Sequence, residues 1–576
     1  MNLLDRYVEK TEFTGLEDFE RNFRLKIPER PFNFGYDIVD EYARLEPGKL
    51  AFVWADDDGA VRKFTFADMA DASDRAAAVM AAHGVKRGDA VMLVLKNRFE
   101  FWFCILGCHK LGAVAVPATH MLMVHDLVYR FKRANVKMIV TADDERLDGD
   151  VDAACAALRA EGAGDGPVKG KVCGPRAGWV DFSAEWEAAG GKWQEQSGSE
   201  RPGGRDPMLA YFSSGTTGEP KMVLHDYLYA LGHIVTAKWW HQVRDGGLHY
   251  TVADTGWGKA VWGNLYGQWI CGSATFVHDY RKFNAARTLD ICAQVGITSF
   301  CAPPTVYRFL AKEDLSAHDF SRVEHGAVAG ESLAPETYAA LLKATGLRLM
   351  EAYGQTETTL VVGNFAWMTP KPGSMGKPSP LFHAKIVDRD GRECDVGEHG
   401  EMVIPLPADG SLEGRPAGLF REYVGNDEAT SHSERGGVYH TGDVAWRDED
   451  GYFWYVGRDD DLIKSSGYRI GPFEVESALM EHPAVLECAV TGMPDPVRGQ
   501  LVKATIVPAK GYEYVLEDET RAQALTEELQ KHVKHATAPY KYPRCIVYVK
   551  ELPKTISGKI QRKVIRDRDW QKPPQG

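Results

Sequence analysis

The sequence predicts an α/β protein with a large N-terminal body of several subdomains, built on mainly parallel sheets, and a small α+β C-terminal domain. Its 576 residues exceed what one hydrophobic core usually supports. Between Lys49 and Ala142, apolar extended runs alternate with helix-like stretches, as is typical of βαβ units. After Asp461 the pattern changes to short strands with intervening helices, which indicates a separate compact domain of about a hundred residues.

The first part of the predicted body contains four apolar runs that we expect to be strands: LAFVWA, AVMLVLK, AVAVPA and KMIVTA. A helix is expected over FADMADASDRAAAVMAAHGV. Cys104 and Cys108 lie four residues apart in the run EFWFCILGCHKLG, so we expect both thiols on one buried helix face. The stretch from Gly162 to Pro207 is rich in Gly, Ser, Glu and Pro, which favours a surface excursion.

Strands and helices alternate again from Met208 to about Ile404, and a turn-rich segment leads to the C-terminal domain. There we expect a strand after Asp461, a helix opened by Pro472, strands over ECAVTGM and VKATIVPA, a helix near 522–534 and a strand within CIVYVKELP. The boundary is expected at residues 458–461. This gives an N-terminal domain of residues 1–459 and a C-terminal domain of residues 460–576.

Composition and charge exclude several classes of function. The formal net charge of −13 disfavours nonspecific nucleic-acid binding, which rests on cations that neutralise phosphates. No run approaches the roughly 18 apolar residues of a membrane span, so no integral membrane segment is expected. The first residues carry Asp5 and Glu9 and no apolar core segment, which argues against a signal or transit peptide and favours a cytoplasmic protein. The cysteines show no spacing typical of a zinc site or a disulfide framework.

The strongest local signal is YFSSGTTGEPKMVLH, residues 211–225. Two glycines and four hydroxyl residues within 213–218 can present N–H and O–H groups to an anion, with Lys221 as a point charge, so the segment predicts a phosphate-binding loop. It is not a Walker A loop, because Pro220 precedes Lys221 and Met222 follows it. A plain surface turn remains the alternative for such a Ser/Gly loop.

Three further segments carry groups that suit a nucleotide. In MEAYGQTETT, Thr356 and Glu357 place a hydroxyl beside a hard carboxylate, as Mg²⁺ at nucleotide phosphates requires, although a solvated helix start would look similar. In YHTGDVAWRDEDGYFWYVGR, Asp443 could accept both hydroxyls of a ribose, although such an acid is more often a turn residue. In PKTISGKIQR, Gly558 frees the backbone beside Lys559 in a basic loop, with a flexible tail as the alternative.

Taken in order, SSGTTGEPK, YGQTET, YHTGD, GRDDDLIKSSGYRIGPFEVE and PKTISGKIQR resemble the adenylate-forming superfamily of acyl-CoA synthetases, luciferases and peptide-synthetase adenylation domains over nearly the whole chain. SSGYRIGPFEVESALMEHPAV, DPVRGQ and TAPYKYPR resemble its medium-chain acyl-CoA synthetase branch. The resemblance implies an ATP-dependent acid:CoA ligase. Such an enzyme forms an acyl-adenylate and pyrophosphate from a carboxylic acid, and then acyl-CoA and AMP, with ATP, Mg²⁺ and coenzyme A.

The resemblance also implies roles for individual residues. Lys559 would bridge the substrate carboxylate and the α-phosphate, Thr356 would serve the phosphates, and Glu357 would hold Mg²⁺, which offsets the repulsion between the two anions. Asp443 and Arg458 match the ribose ligands. The other implied contacts to ATP or AMP are Ser213, Ser214, Gly215, Thr216, Thr217, Gly218, Lys221, Gly330, Glu331, Ser332, Glu351, Ala352, Tyr353, Gly354 and Gln355.

For the thioester step, the resemblance implies that the C-terminal domain rotates about a hinge at Asp460. The rotation would withdraw Lys559 and present a loop in which Gly467 lines the thiol tunnel, where a side chain would obstruct it. The residues implied for coenzyme A or the rotated domain are Ser466, Gly467, Tyr468, Arg469, Arg498, Lys534, Tyr540 and Arg544.

The acyl pocket is expected at Trp257, Val261 and Gly354. Relatives specific for acetate close the pocket with a tryptophan just before Gln-Thr-Glu-Thr, whereas Gly354 stands there in this chain. We therefore expect a deeper pocket for a branched, aromatic or straight-chain acid of about four to ten carbons, with Trp257 as a gate. A core aromatic is the alternative for Trp257.

Three other functions remain open. An enzyme that loads a carrier protein would share the ATP motifs, but no carrier domain is present in this sequence. A luciferase-like oxygenase would share the fold, yet SSGYRIG favours coenzyme A chemistry. A noncatalytic ATP sensor would not need Lys559 and Glu357. The expected partners are thus a small carboxylic acid, ATP and CoA, with a homo-oligomer left open.

Overall fold

The computed structural model of this protein describes residues 2–213, 219–331, 333, 335–466, 468–554 and 560–571. The chain divides into two compact units. The first contains Met1–Ser213, Pro220–Ala384 and Pro405–Tyr439, and the second contains Lys385–Ile404 and His440–Gly576. The expected domain boundary at residue 460 marks the start of the part that would rotate. This boundary stays a prediction.

The strands of the described residues are these, in chain order: β1 Leu50–Asp56, β2 Val61–Thr65, β3 Ala90–Val94, β4 Val114–Pro117, β5 Val136–Thr141, β6 Val168–Lys171, β7 Val180–Asp181, β8 Pro207–Ser213, β9 Lys221–Asp226, β10 Leu248–Thr251, β11 Ala274–Asp279, β12 Ser299–Ala302, β13 His325–Ala329, β14 Leu349–Tyr353, β15 Val362–Gly363, β16 Lys377–Pro378, β17 Lys385–Val387, β18 Gly400–Pro405, β19 Glu422–Tyr423, β20 Val438–Arg447, β21 Phe453–Arg458, β22 Ile463–Ser465, β23 Tyr468–Ile470, β24 Val485–Asp495, β25 Gly499–Pro508 and β26 Cys545–Tyr548.

The α-helices of the same residues are α1 Leu16–Asn22, α2 Glu41–Leu45, α3 Phe66–Ala82, α4 Glu100–Leu111, α5 Val124–Ala134, α6 Glu145–Ala160, α7 Phe182–Ala188, α8 Leu228–Val235, α9 Gly258–Asn264, α10 Tyr266–Ile270, α11 Ala285–Val295, α12 Pro304–Leu310, α13 Pro335–Thr345, α14 Asp427–Ser433, α15 Pro472–Met480, α16 Glu519–Ala536 and α17 Arg562–Gln571. Short 3₁₀ or π segments cover Leu3–Arg6, Gly35–Asp40, Gly198–Glu200, Thr236–Trp240, Leu315–Ala317, Arg435–Gly437, Glu513–Leu516 and Pro539–Lys541.

Two large sheets form the first unit. One has the strand order β16-β15-β14-β13-β12-β10-β11-β1-β2, and its central strands from β14 to β1 are parallel. The other has the order β19-β9-β8-β4-β3-β5-β6-β7, with parallel pairing from β8 to β7. The predicted α/β class with mainly parallel sheets is therefore confirmed. In such sheets the loops at the carboxyl ends of the strands build the ligand site.

The four expected strands of the first part coincide with β1, β3, β4 and β5. Helix α3 starts where Thr65 and Asp68 form a capping box, and α4 ends at Gly112, which adopts a left-handed conformation with φ of 79°. Cys104 and Cys108 are buried on α4, as expected. The expectation for residues 162–207 was incomplete, because this stretch supplies strand β6, the edge strand β7 and helix α7.

The second unit contains two smaller sheets. The first has the order β17-β18-β20-β21. The second has the order β23-β22-β25-β24, with β26 paired in parallel to β25 and the others antiparallel. Every element expected after Asp461 is present, including α15, which Pro472 opens at its first position. Helices α15 and α16 cover one apolar face of this sheet with buried residues such as Val475, Leu479 and Leu529.

No helix among the described residues is long and apolar enough to cross a membrane.

Candidate functional site

Several predicted site residues of the first unit follow the carboxyl ends of neighbouring parallel strands. Strand β13 ends beside β14, with Ala329 opposite Ala352. Gly330 and Tyr353 are the next residues of the two strands, so both emerge at the same edge of the sheet. Gly330 needs its left-handed backbone, with φ of 111°, to make this exit. Glu331 is exposed, and residues 353–357 are half-buried, as expected for segments that border an open site.

The turn after β14 is fixed by hydrogen bonds to its own residues and to distant ones. Gln355 N–H donates to the Thr358 hydroxyl at 2.9 Å, and the Tyr439 hydroxyl donates to Gln355 Oε1 at 2.9 Å. The Nε2–H of His225 donates to the backbone oxygen of Thr356 at 2.7 Å. Burial lowers the pKa of His225 to about 4, so the ring is neutral and suited to this single bond. The Gln-Thr-Glu-Thr turn is thus rigidly placed.

Glu357 and Lys221 are joined through Tyr423, which the sequence did not single out. The Tyr423 hydroxyl donates to Glu357 Oε1 at 2.9 Å. The ammonium of Lys221 lies 4.6 Å from the centre of the Tyr423 ring. Lys221 begins β9, which pairs with β8 on the other side of the Ser/Gly loop, and β19 supplies Tyr423 to the same sheet. The sheet therefore brings a cation and a fixed carboxylate to one place.

The donor set fits a magnesium ion that is held mainly by nucleotide. Glu357 offers a hard carboxylate whose position Tyr423 fixes. The described residues contain no group of three or more His, Cys, Asp or Glu side chains that could hold a metal by themselves. Phosphate and water oxygens would have to complete the coordination sphere, as is usual for Mg²⁺ at ATP.

Glu351 is predicted near adenine, and its side chain is buried within the protein. Its carboxyl oxygens accept the N–H of Gly373 at 2.7 Å and the N–H of Leu333 at 3.2 Å. Burial raises the pKa of Glu351 to about 7, although the two N–H groups oppose the shift. The side chain therefore ties β14 to the segment after β13 and to the segment between β15 and β16.

In the second unit, Asp443 and Arg458 face each other across neighbouring strands. They are directly paired in the register of β20 and β21, and Arg458 Nη1 lies 3.6 Å from Asp443 Oδ2. The Tyr455 hydroxyl donates to Asp443 Oδ1 at 3.2 Å, and Arg458 also donates to the Thr441 carbonyl at 3.0 Å. The carboxylate is buried and oriented, which is what a ligand for two vicinal hydroxyls requires.

The residues predicted for coenzyme A form three small groups in the second unit. Ser466, with φ of 50°, donates its N–H to the backbone oxygen of Arg498 at 3.0 Å. The rings of Tyr468 and Tyr540 stack with their centres 4.1 Å apart. Two cations flank the ring of Tyr542, with the Lys534 ammonium at 3.9 Å and the Arg544 guanidinium at 4.6 Å from its centre. The backbone of Arg469 pairs with Lys464 in β22 and β23.

The loop that carries Lys559 is held at both ends. Lys554 and Ile560 form an antiparallel bridge, and Gln561 N–H donates to Pro553 O at 2.9 Å. Helix α17 then begins with Arg562, whose guanidinium donates two bonds to the buried carboxylate of Glu476, at 2.9 and 2.6 Å. One turn later, Arg566 donates to the Asp460 carbonyl and to the Asp461 carboxylate, both at 2.8 Å.

The predicted acyl-pocket residues lie on or beside α9. Trp257 is half-buried at the residue before the helix, and Val261 is fully buried within it. The expected depth beside Gly354 stays a prediction, and the neighbour of Gly354 at this place is Trp262 of α9. A Cβ on Gly354 would collide with Trp262 Cη2 and would lie 2.6 Å from the Thr359 carbonyl oxygen. Trp262 is held in turn by its Nε1–H, which donates to Tyr229 at 2.9 Å.

Some predicted residues lie outside the described part of the chain, namely Ser214, Gly215, Thr216, Thr217, Gly218, Ser332, Gly467, Lys559 and the side chain of Arg469. Tyr423, Tyr439, Tyr455 and Trp262 were not predicted. Tyr423 and Trp262 lie outside the motifs, and Tyr439 and Tyr455 lie within YHTGDVAWRDEDGYFWYVGR without a predicted role. Only the fold brings each of them to its partner. A phenol or indole that must bury its polar atom near a motif is the signal they share.

Comparisons with known proteins agree with this geometry. The AMP-binding enzyme family matches residues 39–408, and the C-terminal domain of AMP-binding enzymes matches residues 474–559. Acyl-coenzyme A synthetase ACSM3, mitochondrial, of Mus musculus is 39% identical over 566 residues, which cover 97% of this chain and 94% of that protein. Acyl-coenzyme A synthetase ACSM5, mitochondrial, of Homo sapiens is 41% identical over 559 residues, which cover 95% and 92%.

A solved structure extends the likeness to three dimensions. The anthranilate CoA ligase AuaEII, in complex with anthranoyl-AMP, superposes with a TM-score of 0.80 at 26% identity. The match covers 94% of this chain and 98% of that one. Since the family match spans most of the sequence and the curated relatives align over nearly its full length, the chain belongs to the AMP-binding, adenylate-forming enzymes, in their medium-chain acyl-coenzyme A synthetase branch.

Proposed function

We propose that this chain is an ATP-dependent acid:CoA ligase that forms an acyl-adenylate and pyrophosphate, and then acyl-CoA and AMP. The observation that carries the proposal is the arrangement of Lys221, Tyr423 and Glu357. It joins a cation beside the Ser/Gly loop to an oriented carboxylate at the carboxyl end of β14. That pair suits the polyphosphate of ATP, and the chain aligns with acyl-coenzyme A synthetases over 94% and 92% of their length.

In the first half-reaction, the Ser/Gly loop and Lys221 bind the phosphates, and Thr356 contributes its hydroxyl. Glu357 would hold the magnesium ion, which supplies charge neutralisation at the phosphates when bound. Asp443 accepts hydrogen bonds from the ribose hydroxyls, and Arg458 orients it. Lys559 lies between the substrate carboxylate and the α-phosphate, because two anions approach each other only when a cation lowers their repulsion.

In the second half-reaction, the C-terminal domain turns about Asp460 and withdraws Lys559. The loop at residues 466–469 then borders the path of the thiol, with Gly467 at its narrowest point. Arg498, Lys534 and Arg544 supply positive charge for the phosphates of coenzyme A, and Tyr468 with Tyr540 offers a stacked aromatic surface.

The acid is proposed to be medium-sized, branched or aromatic, with Trp257 at the entrance and Trp262 as the wall beside Gly354. A cytoplasmic location stays a prediction from the sequence, since the relatives' names describe mitochondrial proteins. A homo-oligomer stays open in the same way.

A panel of carboxylic acids tests the proposal. It runs from acetate to dodecanoate with benzoate and branched acids, and AMP release is measured with and without coenzyme A. We expect AMP release that depends on both the acid and coenzyme A for some members of the panel. Release of no AMP with any acid would contradict the proposal, and acid-dependent pyrophosphate release that ignores coenzyme A would favour loading of a carrier protein.

A further inference from the structure

Lys259 is a cation at the candidate acyl site that the proposed reaction does not use. It lies in the first turn of α9, two residues after Trp257 and three before Trp262. Its ammonium donates to the backbone oxygen of Ala329 at 2.7 Å. Ala329 is the last residue of β13 and pairs with Ala352 of β14, so Lys259 reaches the edge from which Gly330 and Tyr353 emerge.

The surroundings of Lys259 are protein rather than open solvent. Burial lowers the pKa of Lys259, and the neighbouring Cys301 and Glu331 only partly oppose this shift. The side chain nevertheless keeps some exposure, as do Trp257 and Gly258, whereas residues 260–264 of the same helix are buried. The first turn of α9 is therefore reached by solvent, and the rest of the helix belongs to the core.

The ammonium of Lys259 is incompletely satisfied within the described residues. It has three N–H donors, and in the part of the chain that the structure describes it donates to one carbonyl oxygen and forms no ion pair. A desolvated cation with no carboxylate in direct contact is costly, and proteins place such groups where a ligand completes their hydrogen bonds. The first expectation for a hydrocarbon pocket would be a methionine or leucine at this position, not an amine.

We infer that Lys259 selects carboxylic acids that carry a second oxygen acceptor, a hydroxyl, oxo or second carboxylate group, at a distance from the carboxylate that is activated. This inference rests on the proposed function and narrows its substrate class. Trp262 limits the pocket beside Gly354, and Lys259 lies one helical turn earlier on the same helix. The acyl chain therefore meets an indole wall on one side and an N–H donor at the next turn.

The test compares acids of equal length that differ only in the acceptor. Hexanoate, its terminal hydroxy derivative, its oxo derivative and adipate are assayed with wild-type enzyme and with Lys259→Met, which keeps the length of the side chain and removes its donors. The wild type is expected to prefer at least one acceptor-bearing acid over hexanoate in kcat/KM by about 10- to 100-fold, the usual effect of a hydrogen bond to a charged group. The ratio should fall by a similar factor in Lys259→Met. The hydroxy and oxo acids test whether Lys259 prefers a neutral acceptor, and adipate tests whether it prefers an anionic one.

The control is Lys312→Met, which removes an exposed lysine away from the site and should leave the ratio at its wild-type value. Equal preference for hexanoate and every acceptor-bearing acid in the wild type would overturn the inference, and this measurement needs no variant to fold. An unchanged ratio in Lys259→Met would also overturn it. A rise in KM for ATP that is the same for all acids would assign Lys259 to the nucleotide instead. Absence of AMP release with every acid would contradict the proposed function itself, so the two failures are distinguishable.

Discussion

At the scale of one residue, Trp262 would limit the proposed acyl pocket. Its indole fills the space beside Gly354, and its Nε1–H is bonded to Tyr229. A glycine in this position of the motif therefore does not by itself make the pocket deep. The depth depends on the helix that faces the glycine, and no motif spacing could reveal which residue of α9 points there.

Trp262→Leu is expected to extend the range of acids toward longer chains, because the smaller side chain leaves space beside Gly354. The ratio of kcat/KM for decanoate to that for butyrate should rise by about tenfold, the usual value of one or two methylenes in an apolar pocket. Steady-state AMP release measures this ratio. Trp186→Leu, at an indole that stacks on Phe103 in another part of the first unit, is the matched control. A ratio that does not change in Trp262→Leu would show that the chain extends elsewhere.

Glu351 links pH to the stability of the first unit. Its pKa rises from the ordinary 4.5 to about 7 on folding, so the folded protein binds the proton more tightly than the unfolded chain. Its contribution to the free energy of unfolding is therefore fully present below about pH 4.5 and is lost as pH rises through about 7, by up to about 3 kcal/mol.

In Glu351→Gln this dependence should be absent. The thermal midpoint of the wild type should therefore fall relative to that of the variant as the pH rises from about 5 to about 8. The control is Glu336→Gln at an exposed carboxylate of α13, which should follow the wild type at every pH. Parallel curves for wild type and Glu351→Gln would mean that the carboxyl titrates in its ordinary range.

At the scale of elements, α17 positions the loop of Lys559. The ion pair between Arg562 and Glu476 is buried on its carboxylate side and half-buried at the guanidinium, and Glu476 Oε1 also accepts the N–H of Val490 at 2.8 Å. Breaking a buried pair by removing one partner usually costs about 3–5 kcal/mol, because the remaining charge is left without compensation. The start of α17 is thus fixed to Glu476 and, through it, to β24.

Glu476→Gln should reduce acid-dependent pyrophosphate exchange by about tenfold or more, because the loop of Lys559 loses its anchor. Thioester formation from a supplied acyl-adenylate should change less. Glu528→Gln, at an exposed carboxylate paired with His482, is the control and should match wild type in both assays. Equal loss of both half-reactions in Glu476→Gln would indicate general unfolding of the domain.

Elements were more predictable than contacts. Periodicity located β1, β3, β4 and β5, and Pro472 marked the first residue of α15, because these signals are local. The strands β6 and β7 were missed, since strands of four and two residues carry little apolar pattern. The motifs named most of the candidate site, but Tyr423 lies 66 residues from Glu357, and only the sheet brings them together.

At the scale of the whole molecule, the proposal divides two half-reactions between two states of the C-terminal domain. Lys559→Ala should abolish acid-dependent pyrophosphate exchange and leave thioester formation from a supplied acyl-adenylate. Gly467→Leu should do the reverse, because its side chain would obstruct the thiol. Rapid-quench assays of each half-reaction measure both outcomes.

The two variants are each other's controls. Equal loss of both half-reactions in Lys559→Ala would refute the assignment of the two half-reactions to two states of the C-terminal domain. Normal turnover with coenzyme A in Gly467→Leu would show that the thiol takes another path. Neither result would alter the assignment of the family, which rests on the match across the chain.

The hydrogen bond from Arg566 to the Asp460 carbonyl would limit where the proposed rotation of the C-terminal domain can occur. That oxygen belongs to the peptide plane between residues 460 and 461, and the same guanidinium holds the Asp461 carboxylate. As long as these hydrogen bonds from α17 persist, the peptide plane between residues 460 and 461 would move together with the C-terminal domain. No backbone torsion after ψ of Asp460 could then contribute to the rotation. The proposed hinge would therefore be confined to Asp460 and the residues before it.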